Sequence, residues 1–323
     1  MINPVAILAV GLESNNQMEG KLMYLKKLCV SALTAMICSV PLAAQAESHG
    51  HKAETPSFRT TQVSDQILLL QGKGGNIALL KGEQGMLMVD DDYKSLSPAL
   101  TREVAKYGGL EKLTYVVNTH WHGDHTEGNL ALGEHAQIVA HDNVRARLLT
   151  KQEIRLFNMV SEPYPEAAVP SLTYDSTLTL HMNGETVKLV HYAGGHTDGD
   201  SVVFFKNANV VHTGDHFFNG FFPFVDVDSG GNVLKMAQNI EALLAELDDE
   251  TKIIPGHGPL ATKADMQAFH AMLVGTAAEV KAMKDQGMNL GQIQLKGLSD
   301  RWEEWADGFL STRVWIGIVY ASL

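Results

Sequence analysis

The chain has 323 residues, 45% of them hydrophobic, and a formal net charge of −12. That is ample apolar material for one large domain or two small ones. The acidic balance argues against a nucleic-acid binder, which needs a basic face to displace phosphate counterions.

In chain order, a targeting pattern comes first. Lys26 and Lys27 precede an apolar run from Leu28 to Val40, and Pro41 leads to Ala44-Gln45-Ala46, a small-x-small cleavage site. This predicts a leader over 1–46 with cleavage after Ala46, and export to a periplasm or beyond. The run is short for a bilayer span, so no stable membrane insertion is expected after cleavage. Cys29 and Cys38 both lie in the leader, which leaves the mature chain without a disulfide or a thiolate ligand. Residues 47–61 are polar and expected to be flexible. A single folded domain with a C-terminal helical extension is expected over 62–323.

Strand-like runs begin at Gln66, Asn76 and Gly85, separated by glycine turns. Helical spacing follows from Ser97, and an apolar strand from Lys112 leads into NTHWHGDHTEGN, residues 118–129. A hairpin is expected from Thr177 around Asn183-Gly184, and another from Ser201 turning near Asn207. Helices are predicted from Asn232 and Lys263, with a short strand at Lys252 between them and a packed element at the C-terminus.

The chemistry concentrates at residues 120–125. Imidazoles so dense pack badly as core and repel each other when protonated, so a metal is the first suspect. In extended backbone His120 and His122 point the same way, while Gly123 lets Asp124 and His125 turn towards a neighbouring ion. Four donors cannot complete two sites, so distant partners are required. His196 in GGHTDGD, Asp215 in TGD and His257 in PGHG stand at the ends of later strands.

The ordered motifs MVDDD, HWHGDH, GGHTDGD, TGD and PGHG together resemble the metallo-β-lactamase-fold hydrolase superfamily, over roughly Gln62 to Leu273. The resemblance implies an α+β fold, a four-layer αβ/βα sandwich with its site along one edge between two sheets. It implies that His120, His122 and His196 hold a first metal, that Asp124, His125 and His257 hold a second, and that Asp215 bridges the two. Asp90 matches the early aspartate that steadies the metal loop by hydrogen bonds, with Asp91 and Asp92 competing for the same register. Imidazole and carboxylate donors favour two zinc ions ahead of iron or manganese. The expected chemistry is hydrolysis of an amide, lactone or ester bond of a small molecule by a hydroxide shared between the metals, with Asp124 and Asp215 as catalytic groups.

The stretch FFNGFFPF follows Asp215, and Phe217, Phe221 and Asn219 are expected to line the substrate cleft. Core packing is the alternative for some of these rings. Many lactamases of the family carry a cysteine where Asp215 stands and a lysine where Phe218 stands. The Asp-bridged pattern looks more like glyoxalase II, lactonases and related esterases. The reading is therefore a periplasmic, β-lactamase-like zinc hydrolase. The alternatives are a lactonase or thioesterase of glyoxalase II type, or a non-catalytic metal-binding accessory protein of the same fold.

Overall fold

The computed structural model describes residues 57–323. The expected leader and its cleavage site after Ala46 lie outside the described residues. The chain runs through β1 (Arg59–Gln62), β2 (Ile67–Gln71), β3 (Ile77–Gly82), β4 (Gly85–Val89), α1 (Ser97–Ala105) and β5 (Leu113–Val117). Two single-turn helices follow, α2 (Gly123–Thr126) and α3 (Asn129–Leu132), then β6 (Gln137–His141) and α4 (Asp142–Leu148). β7 (Gln152–Ile154) and β8 (Met159–Ser161) form a separate hairpin, and β9 (Leu172–Tyr174) completes the first half.

These strands form a seven-stranded sheet in the order β1-β2-β3-β4-β5-β6-β9, antiparallel up to β4 and parallel from there. The second half adds β10 (Thr177–Met182), β11 (Glu185–His191), β12 (Ser201–Phe205), β13 (Val210–His212), α5 (Val233–Glu246) and β14 (Lys252–Ile254). Its five strands pair in chain order, with β13 and β14 parallel. The chain closes with α6 (Lys263–Asp285), α7 (Leu290–Lys296) and α8 (Thr312–Ser322).

The four layers follow from strand alternation. Ile67 and Leu69 of β2 join Leu80, Val117 and Val139 against Leu189, Val203, Phe205 and Ile254, so this cluster lies between the two sheets. Leu68 and Leu70 point the opposite way, towards Leu100 and Val104 of α1. Val202 and Phe204 of β12 likewise turn outward onto Ile240 of α5, Phe269 of α6 and Trp315 of α8. Because each sheet is covered on both faces, its central strands read as unbroken apolar runs. The architecture is the expected αβ/βα sandwich.

The β10–β11 turn has left-handed backbone at Asn183 (φ 57°) and Gly184 (φ 74°), which is why an Asn-Gly pair stands there. One boundary differs from expectation. The segment read as flexible to residue 61 is already β1 from Arg59, paired antiparallel with β2. Its side chains are mostly exposed and polar, so backbone pairing holds it and no apolar pattern announces it. Among the described residues, no helix is long and apolar enough to cross a membrane.

Candidate metal centre

β4, β5 and β6 run parallel and deliver their C-terminal ends to one edge of the sandwich, where a crevice forms outside open parallel strands. β5 ends at Val117, and the next residues carry His120, Trp121 and His122. Alternation splits them: the imidazoles face inward together, while Trp121 turns into a cluster with Ala140, Val144 and Leu148. α2 then coils the chain so that Asp124 and His125 reach a second position. Two groups of donors result, His120 with His122, His196 and Asp215, and Asp124 with His125 and His257. Within each, the donor atoms all lie within 4.8 Å of one another.

The hydrogen bonds around the rings tell which nitrogens are bare. His122 Nε2 lies 3.1 Å from Asp226 Oδ2, and His196 Nδ1 lies 2.7 Å from the Phe224 carbonyl oxygen. Both outward nitrogens therefore carry the proton and donate. Thr119 Oγ1 donates to Asp90 Oδ2 at 2.8 Å, so it accepts from His120 Nδ1 at 3.1 Å. His125 Nδ1 donates to the same Asp90 oxygen at 2.7 Å. The inward nitrogens of neutral rings are then lone pairs. Yet His122 Nδ1 sits 2.8 Å from His196 Nε2 and 3.2 Å from His120 Nε2. Lone pairs at such distances repel unless a cation lies among them. A tetrahedral ion with bonds of about 2.0–2.2 Å sets its donors about 3.3–3.6 Å apart, which is the spacing this cluster approximates.

Asp215 stands between the groups. Its Oδ2 is 3.4 Å from both His196 Nε2 and His257 Nε2, and its Oδ1 is 3.1 Å from His125 Nε2. Oδ1 is buried without a hydrogen-bond partner, which in a native fold asks for an explanation. A bound cation is one. On the far side, His257 Nε2 is 3.3 Å from Asp124 Oδ2 and 3.3 Å from His125 Nε2.

The charges are interdependent. Burial opposes protonation of His125, but Asp215, Asp124 and Asp90 outweigh it and hold the ring well above its usual range. His257 is raised to about 9 against its own burial, chiefly by Asp215 and Asp124. Asp215 would be raised by burial, but the surrounding imidazoles, His125 first, hold it well below the carboxylate range. His196 goes the other way, lowered to about 4 by burial. The second donor group thus demands positive charge, which protons or a divalent cation can supply.

The profile of the Metallo-beta-lactamase superfamily matches residues 72–257. The chain belongs to that superfamily. It is 27% identical over 213 residues to the beta-lactamase-like protein 2 homolog of Caenorhabditis elegans, a match covering 62% of this chain and 64% of that protein. It is 25% identical over 212 residues to a probable metallo-hydrolase of Methanocaldococcus jannaschii, covering 63% and 96% of the two chains. Among solved structures, DIM-1 metallo-beta-lactamase superposes with a TM-score of 0.55 at 18% identity, over 68% of this chain and 99% of that one. The sec-alkylsulfatase Pisa1 from Pseudomonas sp. gives 0.60 at 15% identity, over 82% and 50%. These two likenesses concern the fold.

As a member of the superfamily, the chain supports its centre with three adjacent aspartates that have separate duties. Asp90, in left-handed backbone at φ 62°, accepts from Thr119 N and Oγ1 and from His125 Nδ1. Asp91 Oδ1 accepts from Gly128 N, and Asp92 accepts from Lys73 N, Gly74 N and Tyr93 N. The register left open by the sequence resolves to Asp90. Two supporting acids went unassigned in the sequence. Asp200 accepts from the backbone N–H groups of His196 and Thr197 and fixes that loop, and it was visible inside GGHTDGD. Asp226 pairs with His122 across 104 positions of sequence, and no local spacing announces it. His216 faces away, buried against Asn239 Nδ2 at 3.1 Å, and burial lowers it to about 3.

The cleft above the donors holds ≈ 380 Å³ and is walled by Lys73, Tyr93, Ile154, Phe157, Met159, Phe218, Phe224 and Phe309. This corrects three expectations. Phe217 is fully buried, with its ring 5.1 Å from Phe269 in the outer core. Phe217 has extended backbone, so its neighbour Phe218 points oppositely and reaches the cleft. Phe221 lies behind Phe218 and Phe309, at 5.8 and 5.9 Å. Asn219 donates its amide to the Pro259 carbonyl at 3.1 Å and lines no part of the cleft.

Proposed function

We propose that this protein is a dinuclear, zinc-dependent, β-lactamase-like hydrolase of amide, lactone or ester bonds, exported to the periplasm. In this reading His120, His122 and His196 hold one ion, Asp124, His125 and His257 the other, and Asp215 serves both. The observation that carries it is the set of inward nitrogens of His120, His122 and His196, left bare by outward hydrogen bonds and facing one another across 2.8–3.2 Å, with Asp215 Oδ2 3.4 Å from His196 Nε2. When bound, two divalent cations supply Lewis acidity and make a water strongly nucleophilic near neutral pH.

The chain's own residues do the rest. Asp226, the Phe224 carbonyl, Thr119 and Asp90 fix the tautomer and direction of His122, His196, His120 and His125. Asp124, about a fifth exposed, is the more open of the two carboxylates of the centre that line the cleft, placed to orient a water and to take up its proton. Net, water adds across the acyl bond: its oxygen joins the carbonyl carbon, and a proton goes to the departing nitrogen, oxygen or sulfur. The apolar walls keep bulk water from the reacting atoms.

The test is purified chain assayed for bound metal and for turnover of a cephalosporin, an acyl-homoserine lactone, a thioester and a phosphodiester. His122→Ala is expected to lose both metal and turnover. Undiminished turnover in a metal-free His122→Ala protein sinks the mechanism. Metal-loaded protein that turns over nothing moves weight to a binding role.

A further inference from the structure

The walls of the cleft have their own pattern. Phe224 stacks on His122 at 5.6 Å between centroids, and Phe218 stacks on His257 at 5.0 Å. Outward from them, Phe157 of the β7–β8 connection lies 4.8 Å from Phe224, and Phe309, just before α8, lies 6.2 Å from Phe218. Phe157 and Phe309 are 6.3 Å apart, closing the ring of aromatics. They are 37% and 54% exposed, large apolar groups held in water at the mouth of a cleft. Phe309 also lies beyond the segment matched by the superfamily profile.

Against this apolar collar stands one lysine. Apart from histidine, Lys73 is the only basic side chain lining the cleft, and its ammonium has no partner among the described residues. Its position is fixed from below. Lys73 N and Gly74 N donate to Asp92 Oδ2 and Oδ1, and Gly75 N donates to the Asp124 carbonyl. A Cβ at Gly72 would strike Asp92, at Gly74 Asp124, and at Gly75 the His125 ring. Of the four loop positions, only residue 73 has room for a side chain, and the chain places a lysine there.

Building on the hydrolase reading above, we propose that the cleft selects a substrate with an aryl or branched alkyl group beside the scissile bond and an anionic group that pairs with Lys73. The apolar group packs against the paired rings of Phe157 and Phe309. The anion is read by a flexible side chain on a rigid root, which adapts its reach without moving the loop.

The test uses metal-loaded protein and a panel of lactones, thioesters and β-lactams. Each is supplied as the free carboxylate and as its methyl ester, with and without a phenyl substituent next to the acyl carbon. The wild type is expected to favour the carboxylate and phenyl forms in kcat/KM. Lys73→Met should lower the carboxylate-to-ester ratio about tenfold, carried in KM, and Lys73→Arg should keep it. Phe309→Ala should lower the phenyl preference several-fold. Turnover without these preferences, or with ratios the same in Lys73→Met as in wild type, overturns the selectivity alone. No turnover of any member by the loaded protein overturns the hydrolase reading and this inference with it.

Discussion

Asp226 shows how much of a metal centre resides outside its ligands. It touches no candidate ion position, yet it fixes which nitrogen of His122 is bare. Asp226→Ala is expected to weaken metal affinity about 10–100-fold while leaving the fold intact, as measured by competition with a chromogenic chelator. The acid-base balance of the site gives a second prediction. A cation must displace the proton from His257, which is held to about 9. Apparent affinity should therefore rise with pH up to about 9, with proton release visible by calorimetry in buffers of different ionisation enthalpy. In metal-stripped protein the sign reverses. His257 is raised from 6.5, so its stabilisation is full below 6.5 and is lost as pH climbs through about 9. An affinity flat across this range would contradict the assignment.

At the scale of elements, the strands and the two long helices of the second half were legible because their periods are clean. β12 alternates between two cores, and α5 places Met236, Ile240 and Leu243 on one face. The metal donors were legible because each follows a strand end within a short glycine-containing motif. The walls of the cleft were not. Phe157 sits on an isolated two-stranded hairpin, and Phe309 follows a run of 3₁₀ turns; neither carries a periodic signal. Choosing Phe218 over Phe217 depends on which way one extended residue faces, and composition does not give that phase. β1 was missed because its side chains are solvated. The C-terminal α8 rests on Trp315, fully buried and stacked on Phe222 at 5.3 Å. Trp315→Ala should cost about 3–5 kcal/mol, measured by urea unfolding.

For the molecule as a whole, the buried centre concentrates lone pairs and carboxylates at one edge of the sandwich, so an ion bound there would be thermodynamically linked to the fold. At free metal about 1,000 times its Kd, mass action alone adds about 4 kcal/mol to stability. Chelation should therefore lower Tm, and readdition should restore it; a Tm indifferent to both would show that the cluster binds no ion tightly. The acidic chain, at a net charge of −12, also gives weight to Lys73, which apart from histidine is the one basic side chain lining the cleft.

The shared carboxylate of Asp90 has one more consequence. A single oxygen receives the His125 ring directly and the His120 ring through Thr119, so the two ion positions hang on one hinge pin. Removing that carboxylate should therefore disturb both donor groups together. Asp90→Ala is expected to weaken metal binding at both groups, read as a loss of the whole bound-metal stoichiometry by chelator competition and not of half of it.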